Sequence, residues 1–213
     1  MLYTIHALPE GTGLSLRPDT EFTTTPAPLQ GLEELSIDRF PWDENHYRPE
    51  SHARLGWTRG GLHVLMYSRE PAVRAQETRI GGEVYKDSCL ELYIGAAEEP
   101  VYFNLECNPA GVMHIGIGTE RAGRRVLAAC PAGMRIATSL HKGAWWAVEY
   151  VVPADFLLSE GSIRLENGAK LRGNAYKCGD LSAFRHHGMW NLVDWPKPDF
   201  HRPEFFGDLI LQA

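Results

Sequence analysis

The chain has 213 residues and a formal net charge of −6. This length suits a single domain, residues 1–213, that can bury a sizeable core without disulfide staples. An acidic balance with no basic stripe argues against nucleic acid as a partner, and no apolar run approaches the ~18 residues of a membrane helix.

Taken in order, the chain reads as mostly β. Residues 1–34 carry no recognisable motif, and the polar, proline-containing stretch Thr23–Pro28 predicts an exposed connection. Leu62–Arg69 alternates apolar and polar residues after a Gly60–Gly61 turn, and the same alternation recurs over Ser88–Ile94, Val101–Asn108, Val112–Gly118, Met134–Leu140 and Ala144–Val152. Turn signals separate these runs at Gly95–Pro100, Pro109–Gly111, Gly123, Pro131–Gly133 and Lys142–Gly143. Arg121–Arg125 reads as a solvated hairpin loop, and Pro153–Ser159 as a turn or two of helix with its proline at an early position. The last forty residues concentrate aromatic, charged and amide side chains in segments that look too rich in proline and glycine for long regular elements. The predicted fold is all-β: a two-sheet antiparallel β-sandwich, jelly-roll-like, with little helix.

The four cysteines, Cys89, Cys107, Cys130 and Cys178, are widely spaced and form no C-x-x-C pair. They read as reduced thiols, and Met1–Ala7 lacks a basic region followed by an apolar one, so a cytoplasmic location is expected.

Strand alternation gives two neighbouring segments a chemical meaning. Leu90, Leu92 and Ile94 share one face of their strand, and Cys89, Glu91 and Tyr93 share the other. In the next strand Phe103, Leu105 and Cys107 oppose Tyr102, Asn104, Glu106 and Asn108. The short connection between them predicts an antiparallel hairpin. Burying both apolar rows then gathers Glu91, Asn104, Glu106, Tyr93 and Tyr102 on the other face. A solvated sheet surface is the ordinary meaning of such a face. Two glutamates on neighbouring strands repel if directly opposite, however, and call for a compensating Arg or Lys, a cation or a ligand hydroxyl.

The tail adds flat rings beside paired hydrogen-bonding groups, which is what sugar recognition needs: a hexose offers an apolar C–H face and hydroxyls that donate and accept. Four segments carry a resemblance: Tyr85–Ile94, Tyr102–Gly111, Arg172–Asp180 and Pro198–Gly207. In this order the chain resembles the family 9 carbohydrate-binding modules, in particular their free-standing branch, over about residues 35–212. The resemblance implies non-catalytic carbohydrate binding, a role in carbohydrate catabolism, and a mono- or oligosaccharide partner. It implies that Glu91 hydrogen-bonds the sugar and that Tyr85, standing where the best-studied branch has tryptophan, forms one aromatic wall. It places the opposite wall at Trp190, on the segment before the closing Phe-Gly strand, whereas by residue type alone Trp190 is equally a core tryptophan. Trp42, Trp57 and Trp195 are assigned to packing, and of the adjacent Trp145 and Trp146 at most one faces the core.

Asn104 and Glu106 complete the expected floor. Asn174 and Lys177 are further ligand candidates, since an amide both donates and accepts and an ammonium donates, as vicinal hydroxyls require. The alternative for Gly173–Asn174 and Gly179–Asp180 is that they are turn residues. Asp199, His201, Arg202 and Glu204 are divided between ligand contact and an internal salt-bridge network on a loop packed through Phe200, Phe205 and Phe206.

Other functions are weighed on the same residues. A glycoside hydrolase would use Glu91 and Glu106 as paired carboxylates ~5–9 Å apart. A metal site would draw on His186, His187, His201 and Asp199, which lack a closed ligand spacing. A haem between Met66 and His114 is suggested by nothing in their surroundings. No cofactor is required. The family resemblance implies structural calcium, for which Ile37–Asp38 and Trp42–Asn45 are the nearest acidic segments.

Overall fold

The alternating runs form strands that hydrogen-bond into one continuous curled sheet. The computed structural model describes residues 1–17, 29, 31–141 and 143–213; the Thr23–Pro28 connection and Lys142 of the expected Lys142–Gly143 turn lie outside the described residues. Of the described residues 40% are strand and 7% helix, which makes the protein all-β.

The strands are β1 (Leu2–Ala7), β2 (Leu35–Ser36), β3 (Ser51–Thr58), β4 (Gly61–Ser68), β5 (Cys89–Ala96), β6 (Tyr102–Cys107), β7 (Met113–Gly118), β8 (Arg125–Val126), β9 (Arg135–His141) and β10 (Trp145–Pro153). The single α-helix among the described residues, α1 (Ala154–Gly161), follows; Pro153 sits just before it, at a helix start where its missing N–H costs nothing. Then come β11 (Lys170–Cys178), β12 (His187–Met189) and β13 (Gly207–Gln212).

The sheet runs β8-β7-β6-β5-β11-β13-β1-β3-β4-β10-β9, with β12 paired to β11 and β2 to β3. This differs from two separate antiparallel sheets. β1, in the stretch where the sequence offered no motif, pairs in parallel with both β13 and β3 and joins the halves. A sandwich core still results, because the sheet curls and the inner faces of its halves share one apolar cluster. Leu90, Leu92, Phe103, Leu105 and Ile115 from one half pack with Leu55, Val64, Met66, Trp146 and Val148 from the other.

The second departure is β11. Arg172–Asp180 was expected to lack long regular structure, yet Lys170–Cys178 is a nine-residue strand between β5 and β13. Gly173 and Asn174 are therefore strand residues, not a turn. Gly173 is required by close approach: a β-carbon there would collide with the Tyr93 carbonyl oxygen and meet Leu209 Cδ1 at 3.0 Å. Backbone on the neighbouring strand has no room to yield.

A polar network links the halves at the edge of the core. The buried Lys177 Nζ stands 3.1 Å from Glu70 Oε2, just beyond β4, and 2.8 Å from His186 Nε2. Glu70 also accepts from Trp146 Nε1 on β10 at 2.5 Å and from Ser88 Oγ at 3.2 Å.

Gly173→Val is expected to destabilise the protein by about 1–3 kcal/mol or more through forced strand separation. Urea unfolding monitored by far-UV circular dichroism measures it, and an unchanged midpoint would contradict the β5–β11 register.

Candidate functional site

The floor of the site follows from register. β5 lies between β6 and β11, and Glu91 is directly opposite Glu106 on one side and Tyr176 on the other. Glu106 in turn faces His114 on β7. One polar row, Tyr176–Glu91–Glu106–His114, thus crosses four strands on the face away from the core. The next row holds Asn174, Tyr93, Asn104 and Gly116.

Above this face is a pocket of about 510 Å³, within the range of small-molecule sites. Glu91, Asn104, Glu106 and Cys178 line its floor. One wall is Tyr85, on a short 3₁₀ turn (Val84–Lys86) anchored by the buried Val84. Tyr85 is half-buried and donates its hydroxyl to Glu83 Oε1 at 2.6 Å. The loops after β7 and β11 contribute Arg121, Arg124 and Asp180, β12 contributes His187, and the 198–201 loop contributes Asp199, Phe200 and His201.

Both floor glutamates are buried, at 1% and 4% exposure. Cys178 Sγ lies 2.8 Å from Glu91 Oε1, while Glu106 Oε1 accepts from Asn104 Nδ2 at 2.6 Å and Tyr93 Oη at 3.3 Å. The second oxygen of each, Glu91 Oε2 and Glu106 Oε2, is buried with no hydrogen-bond partner among the described residues. Burial, and then the charge of Glu106, raises the Glu91 carboxyl well above its ordinary range. Burial also raises Glu106, against the stabilising influence of His114, Asn104 and Tyr93. No Lys, Arg or His among the described residues forms an ion pair with either glutamate.

Arg124 belongs to the site, not to a solvated loop as the sequence suggested. Its guanidinium lies 4.1 Å from the Tyr102 ring centroid and donates to Asn104 Oδ1 at 2.9 Å and Tyr102 O at 2.9 Å. Asn104 is thereby fixed at both ends of its amide. The 198–206 loop follows the salt-bridge and packing reading, and its Asp199 and His201 also line the pocket. Asp199 pairs with Arg202 at 2.8 Å and Arg121 at 3.3 Å, while Phe200, Phe205 and Phe206 pack against the cluster of Tyr93, Tyr102 and Tyr176. His201 bridges the Tyr93 and Tyr102 hydroxyls at 3.2 and 3.0 Å, and burial pushes its pKa down to about 3, so it is neutral there.

Three expected ligand residues lie elsewhere. Trp190 is 4% exposed, packs in the main core edge-on to Tyr3 and does not line the pocket. The cause is alternation: Met189 pairs with Tyr176 and shares its outer cluster, so the next side chain turns inward. Asn174 accepts from Asn191 N at 2.9 Å and donates to Asn191 O at 2.8 Å, fastening the segment after β12 to β11. Lys177 points to the opposite face, into the Glu70 network, since it is one residue from both Tyr176 and Cys178.

The other groupings do not assemble. Met66 is in the core and His114 on the pocket face, donating through Nδ1–H to the Gly82 carbonyl 2.9 Å away. His186, His187 and His201 are held by separate partners: Lys177, Asp180 and the two tyrosines. The calcium candidates do not fit that ion. Asp43 already accepts from the backbone N–H groups of Asn45 and His46 and from Arg48 Nε, and Asp38 pairs with Arg39. Calcium needs six to eight oxygens without competing cations.

Fold and site together define an all-β protein with a polar-floored, aromatic-edged pocket of small-molecule size. The family model for carbohydrate-binding family 9 matches residues 28–211, and the chain belongs to that family. Among solved structures it is similar to a candidate carbohydrate-binding protein from Bacteroides uniformis ATCC 8492, with 26% identity, coverage of 85% of this chain and 87% of that one, and a TM-score of 0.74. It also shares its fold with a family 9 module from Caldicellulosiruptor kristjanssonii in complex with cellotriose (12% identity, 100% and 94% coverage, TM-score 0.66). The corresponding complex with glucose gives 13% identity, 100% and 96% coverage and a TM-score of 0.65. Comparison with curated proteins gives no match.

Trp190→Ala is expected to cost about 3–5 kcal/mol, as for truncation of a core tryptophan. Lys177→Met is expected to cost a similar amount, about 3–5 kcal/mol, by leaving Glu70 without its buried partner. Denaturant unfolding of the two variants measures both, and near-native stability of either would return that residue to the list of ligand candidates.

Proposed function

We propose that the protein binds a mono- or oligosaccharide, without cleaving it, in the pocket floored by Glu91, Asn104 and Glu106. The observation that carries this reading is that Tyr85 and Glu91, two of the three places the family resemblance singles out, line one pocket in a chain that belongs to carbohydrate-binding family 9. The two complexes of similar fold, with cellotriose and with glucose, support the ligand class. Carboxyl oxygens at the floor accept from sugar hydroxyls, and Arg124 and the remaining Asn104 N–H donate. Tyr85 supplies the stacking face, and Phe200 and Tyr93 take the place expected of Trp190 as the further aromatic lining. Covering one sugar face removes roughly 50 Å² of apolar surface, worth about 1–2 kcal/mol. With a few hydrogen bonds this gives affinities on the order of micromolar to millimolar.

Hydrolysis by Glu91 and Glu106 is the weaker reading. A glycosidase needs carboxyls flanking the scissile bond, one of them ionised. Here both stand side by side on one flat floor, both buried, both pushed toward the protonated form.

Titration with glucose and cello-oligosaccharides, followed by calorimetry, tests the proposal. Binding in the stated range is expected, and Tyr85→Ala is expected to weaken it at least tenfold while costing less stability than truncation of Trp190, because Tyr85 lies outside the main core and packs only at the edge of a small cluster. Absence of binding across a glycan array overturns the reading. Turnover of aryl glycosides lost in both Glu91→Gln and Glu106→Gln would establish the hydrolase instead.

A further inference from the structure

The floor contains a second constellation that sugar binding leaves unexplained. Cys89 on β5 and Cys178 on β11 are directly opposite each other. Glu91 is two residues along β5 and therefore on the same face. The two sulfurs and a Glu91 carboxyl oxygen all lie within 4.8 Å of one another, and all three residues are buried. Cys178 and Glu91 line the pocket, so the cluster is closed by protein behind and opens on the pocket in front.

We propose that Cys89, Glu91 and Cys178 bind a thiophilic divalent cation, with zinc the best match, leaving a fourth coordination position toward the pocket. Thiolates select soft or borderline cations such as zinc over calcium or magnesium. Zinc with Zn–S of about 2.3 Å and Zn–O of about 2.0–2.2 Å in a tetrahedron sets its donors roughly 3.3–3.8 Å apart. The present separations accommodate this with small side-chain shifts, chiefly an opening of the 2.8 Å Cys178–Glu91 contact. Three protein ligands and one open position are the pattern of zinc sites that keep a place for water or a ligand oxygen.

An independent observation points the same way. Glu91 Oε2 and Glu106 Oε2 are buried and unpartnered, and the two glutamates face each other with no cation paired to either among the described residues. The nearby Lys177 is directed to the opposite face, toward Glu70 and His186. Metal binding releases the donor protons: each S–H bond and the Glu91 O–H bond break, two sulfur–metal bonds and one oxygen–metal bond form, and the protons pass to solvent. The dication then offsets two of the three negative charges carried by the two thiolates and the Glu91 carboxylate.

This site does not depend on the sugar reading, and its metal titration contains no sugar. Reduced, metal-free full-length protein is titrated with Co²⁺ and then Zn²⁺. One equivalent of cobalt with a thiolate-to-cobalt absorption band is expected, bleached by zinc. Cys89→Ser and Cys178→Ser are each expected to abolish the band and to weaken zinc binding at least tenfold in competition with a chromophoric chelator, whereas Cys130→Ser leaves both intact. Folded wild-type protein that gives no thiolate band overturns the proposal, as does a band that survives in both Cys89→Ser and Cys178→Ser. Sugar titration of the same samples separates the readings: metal binding without sugar binding leaves this site standing, and sugar binding without metal binding removes it alone.

Discussion

The register of β5 against its two neighbours is the constraint on which the pocket depends. Strand side chains alternate with a period of two, so a slip of one residue would carry Glu91 and Glu106 into the apolar core and expose Leu92 and Leu105. The observed pairing sets Leu92 against Leu105 and Ala175 inside, and Glu91 against Glu106 and Tyr176 outside. Burial of the apolar row thus fixes an energetically costly arrangement on the reverse side: two carboxyls held together out of water. The opposite pairing of Cys89 and Cys178 follows from the same register.

The apolar core is not the only tie between the halves of the sheet. Glu70 follows β4, Trp146 is on β10, Ser88 precedes β5 and Lys177 is on β11, and their hydrogen bonds and ion pair connect segments from both halves. A buried ion pair recovers its desolvation cost only when its remaining hydrogen-bonding groups are met. Here they are: Lys177 also reaches the Cys178 carbonyl at 2.9 Å and His186, and Glu70 accepts from Trp146 and Ser88. Because Lys177 lies between Tyr176 and Cys178, the network sits directly beneath the pocket floor and holds β11 in place.

The pocket walls depend on connections more than on strands. Arg124 lies on the Tyr102 ring and fixes Asn104, and His201 joins Tyr93 to Tyr102 from above. Asp87, at the end of the turn that carries Tyr85, accepts from Asn108 Nδ2 at 2.9 Å and from the backbone N–H groups of Gln76 and Glu77. Tyr85 and the Asn108 end of β6 are therefore tied together through the buried Asp87.

Much of this was legible in the chain itself. Periodicity identified β4, β5, β6, β7, β9 and β10, and alternation alone brought Glu91, Asn104 and Glu106 to one face with the question of what compensates them. Those inferences hold because they depend on local geometry, in which neighbouring side chains must point opposite ways. Tertiary structure decided the rest. β1 carries no distinctive pattern because its place is set by parallel partners remote in sequence. β11 was obscured by Gly173, whose small size signals a turn locally but serves close strand approach in the fold. Trp190 and Lys177 are of types that suit either a sugar site or an interior, and only the pairing of β11 with β5 and β12 determines the face each occupies. The meeting of Cys89 with Cys178 was likewise invisible, because residues 89 apart become neighbours through strand pairing and not through any spacing in the sequence.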